Sequence, residues 1–226
     1  MIKILAVAAA LALTPTTASA VQLILAPTNV IGASSSYSGG YATGTFAAGN
    51  IFDQQTGAIV EPVQTNYWIA PDNGTADAFI TIDLGVEQTL ASLSFFNTHN
   101  ANYNDRGTGG FTLTASNSVA DLGGGNFALT GAITTVTSGT LAAEAQGNTL
   151  TEQSFAAAGT FRYLSFNPTS VNVSGTPCCG ANVYGLNELR VFTTDSAVPE
   201  PATWALLLTG FAVTGLALRR RTLLAA

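Results

Sequence analysis

Residues Ala78–Gly85 read "AFITIDLG", and the order of their side chains decides the fold. In an extended chain successive side chains point to opposite faces. Ile80, Ile82 and Leu84 therefore share one face, and Phe79, Thr81 and Asp83 the other. An alternating run rich in β-branched residues and closed by glycine predicts a strand lying on a core. Similar runs follow: Thr89–Asn97 "TLASLSFFN", Phe111–Ser116 "FTLTAS", Ala132–Thr137 "AITTVT", Phe161–Asn167 "FRYLSFN" and Gly185–Thr193 "GLNELRVFT". In "FTLTAS", Phe111, Leu113 and Ala115 oppose Thr112, Thr114 and Ser116. Glycine, asparagine, aspartate and serine separate these runs. "GNIFDQQTGA" (49–58) and "DLGGGN" (121–126) are turn material rather than phosphate loops, because no helical pattern follows either. No part of the body sustains a 3.6-residue apolar period. Many short strands with glycine-rich connections predict an all-β, antiparallel sandwich or barrel.

The two ends of the 226-residue chain obey other rules. Met1–Ala20, "MIKILAVAAALALTPTTASA", places Lys3 before an apolar stretch and ends on Ala18-Ser19-Ala20. That order is the order of a secretory signal peptide, expected to form a helix and to be cut after Ala20. At the other end Ala202–Leu218 holds no charged residue and is followed by Arg219, Arg220 and Arg221. As a helix this run reaches roughly 25 Å, close to the thickness of a bilayer core. The arginines keep their end cytoplasmic. The two ends together predict an exported body tethered by a single transmembrane helix. Pro199-Glu200-Pro201 precedes that helix, and prolines hold such a segment extended and open to a protease cleft.

The Pro-Glu-Pro, apolar and triple-arginine parts of this tail resemble the PEP-CTERM sorting signal of Gram-negative bacteria. The resemblance implies recognition by an exosortase, a membrane protease that removes the anchor. It also implies an inner-membrane intermediate facing the periplasm, with final residence at the cell surface or in extracellular polysaccharide and biofilm. A plain anchor that is never cut is the alternative, but it gives no reason for Pro-Glu-Pro. The expected organisation is a signal peptide at 1–20, a body at 21–196 and a sorting segment at 197–226.

The body carries three arginines, no lysine and twelve carboxylates, a net charge of −9. That surface repels nucleic acid and anionic headgroups, which bind mainly through Lys and Arg. It suits neutral partners, or divalent cations held by carboxylates. The two cysteines, Cys178 and Cys179, are adjacent. Neighbouring Cα atoms sit about 3.8 Å apart whereas disulfides prefer roughly 4.4–6.8 Å. Inert thiols, a strained vicinal disulfide and an intermolecular bridge all remain open for this pair.

Taken in order, "TNVIGASSSY", "NIFDQQTG", "TNYWIA", "AFITIDLG", "ASLSFFN", "NDRGTGGFTLTAS", "FRYLSF" and "LNELRVF" resemble a discoidin or coagulation-factor type C domain over roughly Thr28 to Phe192. The fold this implies is the galactose-binding-like jelly-roll sandwich. The family's tryptophan-rich loops are thin here, and its terminal cysteine pair is absent. The resemblance also implies a structural calcium ion held by Asp53 and Glu188. The bland alternative has Asp53 capping a turn and Glu188 pairing with Arg162 or Arg190.

The family's ligand site lies in loops at one end of the sandwich, which here points to Asn97–Gly107, "NTHNANYNDRG". His99, Asn100, Asn102, Tyr103 and Arg106 supply hydrogen-bonding groups of the kinds that sugars need. Tyr103 or Trp68 would supply the aromatic face. A solvated loop in which Arg106 pairs with Asp105 or Asp83 is the alternative. One histidine cannot serve both a triad and a metal cluster, and no carboxylate pair sits in a recognisable motif, so an enzyme is not expected. The expected function is non-catalytic glycan binding in the extracellular matrix, with a ligand-free structural matrix protein as the other reading.

Overall fold

The alternation in "AFITIDLG" opens a single strand that runs through both layers of the molecule. We describe a computed structural model in which residues 19–34, 36–37, 44–57, 67–71, 77–99, 106–145, 149–172, 183–194 and 207–214 are placed. The chain divides into two units, Ala20–Thr194 and the terminal segments Met1–Ser19 with Asp195–Ala226. In the body the strands are β1 (Ala20–Leu23), β2 (Val30–Ala33), β3 (Trp68–Ile69), β4 (Ile80–Phe96), β5 (Gly110–Ser116) and β6 (Ser118–Asp121). They continue as β7 (Phe127–Thr130), β8 (Thr134–Thr140), β9 (Glu152–Ala156), β10 (Thr160–Pro168), β11 (Gly185–Leu186) and β12 (Glu188–Thr194). Short 3₁₀ turns occupy Pro27–Asn29 and Ala48–Phe52.

Every named strand pair is antiparallel, and the fold is a mainly β antiparallel sandwich. One sheet is β1-β12-β4-β9, and the other is built of β2, β4, β10, β5 and β8. The second half of β4 belongs to the first sheet and its first half to the second. Two separate strands are expected from the sequence at 78–85 and 89–97; the structure joins them. The junction is a bulge, because the register with β10 jumps from Gln88↔Phe161 to Asp83↔Tyr163. Gly85 makes the turn with φ +86, a conformation that side chains disfavour. Asp83 Oδ1 accepts the Gly85 N–H at 2.8 Å. The Arg162 fork grips the same carboxylate through Nε and Nη2, both at 2.9 Å. The bulge bends β4, so that one chain segment takes part in both layers.

Alternation then fills the space between the layers. In one sheet Leu23, Val191, Leu93 and Phe155 stand in register across four strands. In the other, Ile82, Leu164 and Ala115 form one row and Ile80, Phe166 and Leu113 the next. Phe95 from the first sheet meets Phe111 at 4.6 Å and Phe166 at 5.8 Å between ring centroids, joining the layers. A second buried cluster of Phe46, Tyr67, Ile69, Phe96, Leu150 and Val183 lies at the C-terminal end of β4. It forms the base of the candidate site.

Other differences from the sequence reading are local. The strand expected at 132–137 lies at Thr134–Thr140. The "DLGGGN" turn joins β6 to β7, with Gly123, Gly124 and Gly125 all at positive φ. In the other unit, 207–214 is helical. Among the described residues no helix is long and apolar enough to cross a membrane. The signal peptide (1–18 of its twenty residues), Cys178, Cys179, Pro199, Glu200, Pro201 and Arg219–Arg221 lie outside the described residues, as does most of the expected transmembrane run.

Candidate functional site

Where β4 ends, Asn97 closes the loop expected to bind ligand. Its side chain is fully buried. Nδ2 donates to the carbonyls of Thr108 (2.8 Å) and Ala142 (3.0 Å), and Oδ1 accepts the N–H groups of Thr98 and Thr108, both at 3.0 Å. An amide offers two donors and one doubly accepting oxygen, so this residue uses its whole capacity. Gly107 completes the closure: with φ +135, an added Cβ would lie 2.8 Å from the Thr98 carbonyl oxygen. Thr108 donates both its N–H and its hydroxyl to the Gly185 carbonyl. The two ends of the segment 97–107 are therefore stapled to each other. Asn100, Asn102 and Tyr103 lie outside the described residues.

Of the other loop residues, Arg106 sits half-buried at the rim. Its Nη1 donates to the Tyr67 hydroxyl at 2.7 Å, and its guanidinium lies 5.2 Å from the Phe46 ring centroid. Phe46 in turn tilts against Tyr37 and Tyr67 at 5.9 and 5.1 Å. A planar cation held by a hydroxyl and an aromatic face is oriented before any ligand arrives. Asp83, a partner considered for Arg106, is instead the partner of Arg162. His99 is turned inward and is 1% exposed. Nearby, burial pushes the Glu144 carboxyl above its usual range, against the Thr151 N–H it accepts. Trp68 is 0% exposed and packs into the main core, so its ring surface is spent on packing rather than offered to a ligand. Tyr67, Phe46 and Tyr37 are the site residues missed by sequence reasoning. They come from separate segments and join Arg106 only through the tertiary fold; "NYW" at 66–68 was the one visible cue.

Asp53 and Glu188, 135 positions apart, do come together. Asp53 ends the Ala48–Phe52 turn, and its Oδ1 accepts the Gln55 N–H at 2.9 Å. Gln54 adopts the left-handed backbone (φ 64) and points its N–H at Glu188 Oε2, 3.2 Å away. Such a backbone in a residue with a side chain costs of order 1–3 kcal/mol. Glu188 is 0% exposed, and its Oε1 has no hydrogen-bond partner among the described residues. Burial pushes its carboxyl up to about 8, and the Asp53 charge adds to that. Burial likewise raises Asp53. Neither arginine considered as a partner makes an ion pair with Glu188. Arg162 holds Asp83, and Arg190 lies 3.9 Å from Glu152 with its guanidinium over the Phe96 ring. Among the described residues no group of three or more His, Cys, Asp or Glu side chains converges. A hard divalent cation here would draw on the two carboxylates and on carbonyl or water oxygens. The orphaned Oε1 beside a second carboxylate fits such an ion, because a cation removes both the repulsion and the unmet hydrogen bond.

Residues 197–221 match the family model of the PEP-CTERM protein-sorting motif. No curated protein matches the chain in sequence. Among solved structures, the chain is similar to the C-terminal domain of a chitobiase from Bacteroides fragilis, with 16% identity and a TM-score of 0.49 over 75% of this chain and 97% of that one. It is also similar to the family 32 CBM of NanJ from C. perfringens, solved in complex with galactose. That match has 15% identity and a TM-score of 0.47, covering 77% of this chain and 99% of the other. A chitosan-binding module from a chitosanase/glucanase of Paenibacillus sp. IK-5 has 23% identity and a TM-score of 0.42, with 75% of this chain and 97% of that chain covered.

Proposed function

We propose that this chain is an exported, non-catalytic glycan-binding protein, sorted through its C-terminal motif to the cell surface or extracellular polysaccharide. An exosortase-type membrane protease is its processing partner, and the inner membrane holds the intermediate. The observation that carries the binding reading is Arg106, fixed by the Tyr67 hydroxyl and the Phe46 ring at the base of the Asn97–Gly107 loop. The guanidinium supplies the planar donors that sugar hydroxyls need, and Tyr37, the partly exposed ring of the cluster, supplies the apolar face, since Phe46 and Tyr67 are buried. The carboxylate-rich body disfavours polyanions, so the glycan is neutral or only weakly charged. We assign Asp53 and Glu188 to a structural calcium ion that fixes the Gln54 turn rather than to chemistry.

The inward placement of His99 and Trp68 favours the other reading, a structural matrix protein without a small ligand. A glycan array separates the two. The full-length protein is solubilised in a sugar-free detergent and compared with Arg106→Ala, in calcium and in EDTA. Glycan binding by the parent, lost or weakened at least tenfold in Arg106→Ala, is the expected result. A parent that binds no glycan under either condition would favour the structural reading.

A further inference from the structure

The β6–β7 hairpin folds over the face of the second sheet that points away from the core. Asn126 Oδ1 accepts the Ala33 N–H at 2.9 Å, and Ser116 Oγ donates to the Thr130 carbonyl at 2.6 Å. Gly32 allows the approach, since a Cβ there would lie 2.0 Å from the Phe127 carbonyl oxygen. Between hairpin and sheet remains a cleft of about 470 Å³, within the range of about 300–1,000 Å³ usual for small-molecule sites. Its floor is polar and uncharged: Thr114 on β5, with Ser165 and Asn167 on β10. Phe79, Leu129 and Ile133 contribute apolar walls.

The floor is ordered by its own hydrogen bonds. Ser165 Oγ donates to Asn167 Oδ1 at 3.2 Å, and Asn167 Nδ2 donates to Thr114 Oγ1 at 3.3 Å and to the Ser165 carbonyl at 2.8 Å. This chain of bonds has a direction. Thr114 accepts and so keeps its hydroxyl proton to give, while Ser165 donates and so keeps lone pairs to receive. The two stand directly opposite each other on neighbouring strands. A donor and an acceptor side by side, facing apolar walls, match a sugar's hydroxyl edge and its C–H face. Asp77 is the one charged residue among the described residues lining the cleft, and its carboxylate disfavours an anionic ligand.

We propose that this cleft is a second carbohydrate site, separate from the Arg106 end and selective for a neutral sugar residue. The proposal rests on the reading of the protein as a glycan binder, and it adds a second point of attachment to one polysaccharide. Two weak sites on one body raise avidity without either being strong.

The test titrates methyl β-galactoside, cellobiose and galacturonate into the full-length protein in a sugar-free detergent, with binding read by saturation-transfer NMR. Three variants are compared with the parent: Thr114→Val, Ile133→Asp and Arg106→Ala. Ile133 is 54% exposed, so its substitution leaves folding intact and alters only the wall. The expected result is a neutral sugar whose binding survives Arg106→Ala but weakens about tenfold in both cleft variants, the effect of one lost hydrogen bond or wall contact. Galacturonate binds less well than the neutral probes. If Arg106→Ala abolishes all binding and both cleft variants bind as the parent does, the cleft is not a site while the loop reading stands. No binding of any probe to the parent overturns both.

Discussion

Glu188 shows how a single buried residue couples the fold to its surroundings. Its carboxyl holds a proton up to about 8 because burial and Asp53 both oppose ionisation. A raised carboxylate means that the folded state binds the proton more tightly than the unfolded one. This residue's contribution to stability is therefore complete below the ordinary carboxylate range and falls as pH rises toward about 8. Calcium would take over where the proton leaves. In EDTA the melting temperature of the parent should fall between pH 5 and pH 8, and saturating calcium at pH 8 should raise it by about 5–10 °C. Glu188→Gln, which keeps the shape of the protonated acid, should flatten the pH dependence and lose the calcium effect. An equal calcium shift in that variant would remove Glu188 from the ion site. The pairing of Asp53 with Glu188 was legible from the resemblance. The turn at Gln54 that joins them was not, because nothing in "FDQQTG" announces a left-handed glutamine.

Elements hold the candidate site through a few saturated groups. Asn97 ties the end of β4 to Thr108, just before β5, and to Ala142, making four hydrogen bonds through one side chain. Asn97→Ala strands buried N–H and carbonyl groups, each costing about 1–3 kcal/mol before relaxation. A loss of about 3 kcal/mol is expected in urea unfolding, with glycan binding weakened as the loop base opens. A change below about 1 kcal/mol, the size of an ordinary surface effect, would show that the loop does not depend on this clamp. In the sequence Asn97 looked like the first residue of a polar loop. Its burial is decided by Thr108 and Ala142, 11 and 45 positions away. The strands themselves were legible, since alternation is a property of each segment alone. Their fusion into β4 was not, because it depends on β10 facing the Gly85 bulge with Arg162.

At the scale of the molecule, the first strand pairs with the last. Ala20 lies opposite Thr194 on β1 and β12, and Glu188 at the other end of β12 lies opposite Phe96. The body's two ends thus leave one end of this sheet, and the Asn97 loop starts at the other, about 20 Å away by strand length. The last paired residue of the body, Thr194, comes before Pro199. A cut at Pro199–Pro201 would therefore leave every described strand of the body in place. Glu200→Ala should accumulate in the membrane fraction while the unfolding midpoint of the body stays unchanged. Normal release of that variant, measured by fractionation and blotting, would disconnect Pro-Glu-Pro from processing.

The amino-acid sequence by itself determined the all-β class and the sorting tail. Both follow from patterns confined to short windows: side-chain alternation along a strand, and a motif of consecutive residues. Tertiary structure alone decided that Trp68 and His99 face inward, that Arg106 rests on Tyr67 and Phe46, and that Gln54 turns its N–H to Glu188. Those outcomes depend on which distant segments compete for the same space and the same hydrogen bonds. A buried position is assigned by its neighbours, and the linear chain does not state who they are.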